Sequence, residues 1–134
     1  MQSVMFDLDG TLVDTLEDLA DSMNLVLSEM GFDTHAVPRY RNFVGDGMRT
    51  LVERVLPDTA QDETTIKECM TGMKRVYNER WNIKSRPYDG VPELLEELKG
   101  RGVVMSILSN KPDIYTQKVV DHYFDSSLFA EIRG

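Results

Sequence analysis

The chain has 134 residues, 41% hydrophobic and 28% charged, which describes a folded globular protein and excludes a disordered one. Its formal net charge of −8 argues against nucleic acid as a partner, because a phosphate backbone demands a basic face. No apolar run reaches the roughly 20 residues of a membrane span. The start, Met1 to Phe6, has no basic n-region and meets Asp7 too early for a signal peptide. One cysteine, Cys69, excludes an internal disulfide framework and suits a reducing cytoplasm, the expected compartment.

In chain order, Ser3–Leu8 reads as a short buried strand broken by Asp9-Gly10-Thr11. Leu16 to Met30 places Leu16, Leu19, Ala20, Met23, Val26, Leu27 and Met30 at helical spacing. Thr15 is expected as its N-cap with Asp18 three residues on, and Gly31 as its stop. Pro38 to Val44 predicts a short helix, interrupted by Gly45-Asp46-Gly47. Met48–Leu56 is a further helix, stopped by Pro57, and Asp62 to Trp81 a long amphipathic one with Ile66, Cys69, Met70, Met73, Val76, Tyr77 and Trp81 on one side. Arg86-Pro87-Tyr88-Asp89-Gly90 reads as a turn and Val91–Lys99 as a helix. Val103 to Leu108 is a continuous apolar run, as expected of a strand buried on both faces of a parallel sheet. Pro112–Tyr123 is a helix and Leu128–Ile132 a last strand.

Strands alternating with helices across short connections imply a parallel, Rossmann-like α/β sheet. The helical block is then an insertion. The expected division is residues 1–14 and 85–134 as the α/β core, with 15–84 as an all-helical cap. In open α/β sheets ligands sit at the carboxyl ends of the strands. Asp7, Asp9 and Ser109-Asn110-Lys111 all fall at such ends.

Asp7 and Asp9, two residues apart in extended chain, point to one side. A carboxylate can be a phosphoryl nucleophile, which makes Asp7 the candidate. A second carboxylate can donate a proton to the leaving oxygen and later take one from water, the role expected of Asp9. Crowded carboxylates repel, so a divalent cation between them is expected, and oxygen ligands favour Mg²⁺. Gly10 permits the sharp exit that brings backbone N–H groups towards a phosphate, with Thr11 next in the turn. Ser109, at a strand end before Pro112, offers a hydroxyl, and Ser109-Asn110-Lys111 leads into a helix N-terminus suited to an anion, with positive charge from Lys111. Cys69, on an apolar stripe, is expected to pack, and His35 and His122 to be surface residues.

The strand ending in Asp7-Leu8-Asp9-Gly10-Thr11-Leu12 resembles motif I of haloacid dehalogenase-type phosphatases, and Val13-Asp14-Thr15 is similar to the phosphoglycolate phosphatase and β-phosphoglucomutase branches. Ser109-Asn110-Lys111-Pro112 resembles motif II, which implies that the Ser109 hydroxyl binds the phosphoryl oxygen. The resemblance also implies that the Asp9 backbone carbonyl is a metal ligand beside Asp7. Gly45-Asp46-Gly47 with Arg49 resembles the substrate-specificity loop of phosphoglycolate phosphatases, where Arg49 could grip a substrate carboxylate bidentately. The implied function is Mg²⁺-dependent hydrolysis of a small phosphorylated metabolite through an aspartyl-phosphate. The alternatives are a β-phosphoglucomutase-like mutase and a catalytically incompetent fragment. Two later family motifs, a Lys and a Gly-Asp-x-x-x-Asp strand end, have no counterpart before Gly134. The expected core is therefore incomplete at its C-terminal side, and the first strand becomes an open edge prone to self-association.

Overall fold

The fold is described from a computed structural model, over residues 2–134. The chain divides into two compact units. One comprises the residues up to Asp14 together with Arg86–Gly134, and the other Thr15–Ser85. The second unit keeps Ser85, one residue beyond the expected boundary, because Asp18 binds it.

The first unit is built on a parallel sheet of β1 (Ser3–Phe6), β4 (Val104–Leu108) and β5 (Phe129–Arg133), in the order β1-β4-β5. Helices α4 (Val91–Gly100) and α5 (Asp113–Tyr123) cross between successive strands. With the strand order advancing in one direction, right-handed crossovers put both helices on the same face. Leu95 of α4 and Val119 and Val120 of α5 are buried, as are Met105 and Ile107 of β4. Their register partners Val4 and Phe6 share that face and are half-buried.

The opposite face corrects the expectation for Val103–Leu108. Met5 is 66% exposed and Leu108 53%. The apolar run is continuous in sequence, but α4 and α5, the helices of this unit, cover only one side of its strand. Among the described residues β1 pairs with β4 alone and is a sheet edge, as expected. A second correction concerns Arg86-Pro87. Instead of a plain turn it forms β3 (Arg86–Pro87), antiparallel to β2 (Val13–Asp14), with Asp14 opposite Arg86. The Tyr88 N–H continues the contact by donating to the Leu12 carbonyl at 3.2 Å.

The second unit contains α1 (Leu16–Glu29), α2 (Met48–Val55) and α3 (Glu63–Arg80), with a 3₁₀ turn over Val37–Asn42 where a short helix is expected. Met23, Val26 and Leu27 of α1 and Cys69, Met73, Val76 and Tyr77 of α3 are buried, as the apolar spacing predicts. Gly72 explains how closely these helices approach. A Cβ there would meet the Val26 side chain at 2.8 Å, so glycine is retained mid-helix despite its conformational entropy cost.

Three readings change in this unit. Thr15 makes no side-chain cap on α1, and Asp18 does not close a capping box. The Asp18 carboxylate, buried, accepts the Lys84 N–H at 2.9 Å, the Ser85 N–H at 2.7 Å and the Ser85 hydroxyl at 2.6 Å. A long-range partner thus takes the side chain that local spacing assigns to a cap. His35 is half-buried rather than a surface residue: its ring bonds the Val55 carbonyl at 2.8 Å through Nε2, and its edge packs on Tyr40 and Phe43. Asn24 ties this corner by donating to the His35 carbonyl while accepting the Tyr40 hydroxyl at 2.6 Å. Among the described residues no helix is long and apolar enough to cross a membrane.

Candidate active site

Because β1 and β4 run parallel with Phe6 opposite Ile107, their carboxyl ends lie side by side. Asp7 follows β1 directly and Ser109 follows β4 directly. The sheet register therefore brings together two segments a hundred residues apart in sequence.

Asp7 is exposed at the end of β1, with Oδ1 held by the Leu8 N–H at 2.8 Å. The chain then turns tightly about the Leu8 carbonyl, which accepts from the N–H groups of Thr11, Leu12 and Val13 at 3.2, 2.9 and 3.1 Å. Gly10 sits at φ +77°, the left-handed region in which a side chain is strained, so its role in the sharp exit has a direct conformational basis. The Gly10 N–H donates to the Val13 carbonyl at 2.9 Å. The amides of Gly10 and Thr11 are thus spent inside the turn rather than directed at a phosphate. Thr11 remains exposed at its surface.

Across from this turn, the Ser109 N–H donates to the Arg133 carbonyl at 2.9 Å, fixing the exit of β4 against β5. The buried Ser109 hydroxyl accepts the Lys111 N–H at 3.1 Å. Asn110 is exposed between them. The Lys111 ammonium bonds both oxygens of Asp9, at 3.1 and 3.2 Å. The lysine side chain is 4% exposed and that of Asp9 22%. The Lys111 ammonium, expected to serve a phosphate, is thus placed on the Asp9 carboxylate.

Two residues that hold this corner escape the sequence reading. Thr116, buried, donates its hydroxyl towards the carbonyls of Lys111 at 3.3 Å and Pro112 at 3.2 Å. A threonine inside a helix gives no signal of that. Gly134 donates its N–H to Asp113 Oδ1 at 2.9 Å, and a Cβ at this position would overlap the Lys111 carbonyl and the Asp113 backbone. A glycine directly after a strand was the available hint.

The residues assigned to substrate choice lie in the helical unit. Gly45 and Gly47 have φ of +110° and +93°, so both glycines are demanded by backbone. Asp46 pairs with Arg54 at 2.7 Å, which pins the loop to α2. Arg49 forms a two-pronged pair with Glu63 at 2.9 and 2.7 Å and a looser one with Glu53 at 3.5 Å. Its bidentate capacity is real, and Glu63 uses it. The hydrogen bonds from Arg49 also hold the Glu63 carboxyl below the usual carboxylate range.

As to a metal, no cluster of three or more His, Cys, Asp or Glu side chains converges among the described residues. Asp7 and the Asp9 backbone carbonyl supply oxygens, but Mg²⁺ takes about six. Mg²⁺ commonly completes its shell with water and substrate phosphate oxygens, so these two protein oxygens fit part of such a shell.

The chain matches the family described as haloacid dehalogenase-like hydrolase over residues 4–134. It is 32% identical to the phosphoglycolate phosphatase of Aquifex aeolicus, covering all of this chain and 61% of that protein. It is 29% identical to a 5′-nucleotidase of Pseudomonas aeruginosa, covering 98% of this chain and 58% of the other. Among solved structures, a predicted phosphoglycolate phosphatase from Haemophilus somnus superposes with a TM-score of 0.93 at 30% identity, covering 100% of this chain and 62% of that one. The chain thus spans about three-fifths of the length of these relatives.

Proposed function

This chain belongs to the haloacid dehalogenase-like hydrolase family, and from that membership we propose that it is the catalytic-nucleophile part of a phosphomonoester hydrolase, most similar to phosphoglycolate phosphatase. The observation that carries the proposal is the meeting of Asp7 and Asp9 with Ser109 and Lys111 at adjacent carboxyl ends of β1 and β4, tied by the Asp9–Lys111 pair.

In this reading an oxygen of Asp7 attacks the phosphorus of the ester. The ester oxygen leaves with a proton from Asp9, and an aspartyl-phosphate remains. Asp9 then takes a proton from water as the water oxygen attacks that phosphorus, releasing phosphate and restoring Asp7. Ser109 and Asn110, with the Thr11 side chain, hold the phosphoryl oxygens. Gly45, Asp46, Gly47 and Arg49 are assigned to substrate choice, and the substrate is a small phosphorylated metabolite. When bound, Mg²⁺ would supply charge stabilisation at the phosphoryl group, and it calls for more oxygen ligands than the described residues bring together. The cytoplasm is the compartment this chemistry and the lone buried thiol suit.

A second reading concerns the chain taken alone, which spans about three-fifths of its relatives' length: a fragment that binds phosphate with little or no turnover. The test is hydrolysis of a phosphate-ester panel, including phosphoglycolate and a nucleoside 5′-monophosphate. It is run with the 134-residue chain and with a version completed to the length of its relatives. Turnover is expected in the completed version and its loss in Asp7→Asn. Full activity in Asp7→Asn would overturn the nucleophile assignment, and equal turnover in both lengths would overturn the second reading.

A further inference from the structure

The ammonium of Lys111 is nearly sealed from water, and a desolvated cation is costly unless a partner compensates it. The partner here is the carboxylate read as the acid/base group, met through both of its oxygens. We propose that Lys111 is a positioning residue: it fixes the plane of the Asp9 carboxylate so that one oxygen serves both the departing ester oxygen and the incoming water. This inference rests on the reading of Asp9 as acid/base group.

Three observations support it. First, Lys111 is anchored at its backbone as well as its tip. Its N–H is held by the Ser109 hydroxyl, its carbonyl takes the Thr116 hydroxyl, and Gly134 packs against that carbonyl closely enough to exclude a side chain. A lysine has four rotatable side-chain bonds, and burial of the stem removes the freedom they would give. The ammonium is therefore a fixed point and not a mobile surface charge. Second, Asp9 stands in a turn whose backbone is already set by the three N–H groups on the Leu8 carbonyl. Bonding both carboxylate oxygens to one ammonium restricts the rotation of the carboxylate. Third, the pair joins the end of β1 to the end of β4, so the carboxylate is referred to the same frame as Ser109. Proton transfer requires the acid within hydrogen-bond reach of the reacting oxygen, and misplacement erodes its contribution.

A rival role is a phosphate clamp, with Lys111 reaching the phosphoryl group rather than Asp9. The two differ in what Lys111→Met removes. A clamp loses phosphate affinity; a positioning residue loses help to the leaving group.

The test has two arms. In the 134-residue chain, NMR of the side chains reads the pair without turnover. The Asp9 carboxyl ¹³C resonance is expected to move in Lys111→Met and to stay near its native position in Lys111→Arg. Lys111→Gln serves if the apolar variant does not fold, as judged by circular dichroism. An Asp9 resonance indifferent to Lys111→Met overturns the proposal. In the version completed to the length of the relatives, Lys111→Met is expected to lower kcat on an alkyl phosphate by about 30-fold, within the range of general acid catalysis. On p-nitrophenyl phosphate, whose leaving group needs no proton, the loss should stay under about threefold, with the inhibition constant of inorganic phosphate unchanged. Lys111→Arg should recover most of the alkyl-phosphate rate. Equal losses on both esters, or weakened inorganic phosphate, overturn the positioning role while leaving the phosphatase reading intact. Absence of any turnover in the unmutated completed protein overturns the phosphatase reading, and this inference with it.

Discussion

The Ser85 hydroxyl donates to the buried Asp18 carboxylate at 2.6 Å, binding the first turn of α1 to the residue that closes the helical unit. The same carboxylate takes the Lys84 and Ser85 backbone N–H groups. Asp18→Ala strands these donors in a poorly hydrated place and should cost about 3 kcal/mol, whereas Ser85→Ala removes one hydroxyl and should cost about 1 kcal/mol. Urea unfolding of both variants measures the contrast. A smaller loss for Asp18→Ala than for Ser85→Ala would show that the clamp is not where the stability lies.

Cys69 is fully buried on α3, and burial pushes its thiol up to about 11 from an ordinary value of 9.0. At pH 8 it should therefore react with Ellman's reagent only after unfolding. The linkage has a definite sign. The folded state keeps a proton that the unfolded state releases, so stability is intact below about pH 9. It falls above that at up to about 1.4 kcal/mol per pH unit until about pH 11. Cys69→Ala should flatten that decline, and unfolding midpoints from pH 8 to 11 show whether it does.

Arg49 is committed to Glu63 as the structure stands. If it grips a substrate carboxylate, that group must displace Glu63. Glu63→Gln should then lower KM for a phosphorylated acid by about threefold relative to a phosphate ester without a carboxylate, from weaker competition for one bidentate site. Arg49→Met should erase the distinction. An unchanged KM ratio in Glu63→Gln would assign Arg49 to holding α2 against α3.

β1 carries Ser3-Val4-Met5-Phe6, without charge, proline or bulge, along an open edge. We propose self-association of the chain through this strand and the apolar face beside it. Sedimentation should show concentration-dependent association of the 134-residue chain. Met5→Lys, which adds a charge of the kind natural edges use, should shift it towards monomer. Identical profiles for both would locate the association elsewhere.

How much of this could be read from the sequence depends on the range of the interactions. The helices carry their evidence within a few residues of themselves, and the apolar spacing of Met23, Val26 and Leu27 places α1 to within a residue. The juxtaposition of Asp9 with Lys111 follows from strand alternation and parallel pairing, which sequence pattern does convey. That Lys111 would face Asp9 rather than solvent or phosphate does not follow, because the direction of a flexible side chain is decided by burial. Asp18 misled because three-residue spacing from Thr15 is a local signal, whereas its partner lies 67 residues away. Val103–Leu108 misled for a related reason: apolar residues announce what a strand can bury, and the elements actually present decide what it does bury.

The two-residue ladder of Val13–Asp14 with Arg86–Pro87 has a meaning for ancestry and engineering. Asp14 and Arg86 face each other across one strand spacing, about 5 Å. The chain therefore departs from the α/β unit and re-enters it at a single point on its surface. A two-residue turn could close that gap as a hairpin, so residues 15–85 are an interruption of the sheet's sequence and not of its geometry. Helical units of different length or composition can be exchanged at this junction without altering the registers that bring Asp7 beside Ser109. A lineage could thus change what is placed between Asp14 and Arg86 while inheriting the residues beyond them untouched.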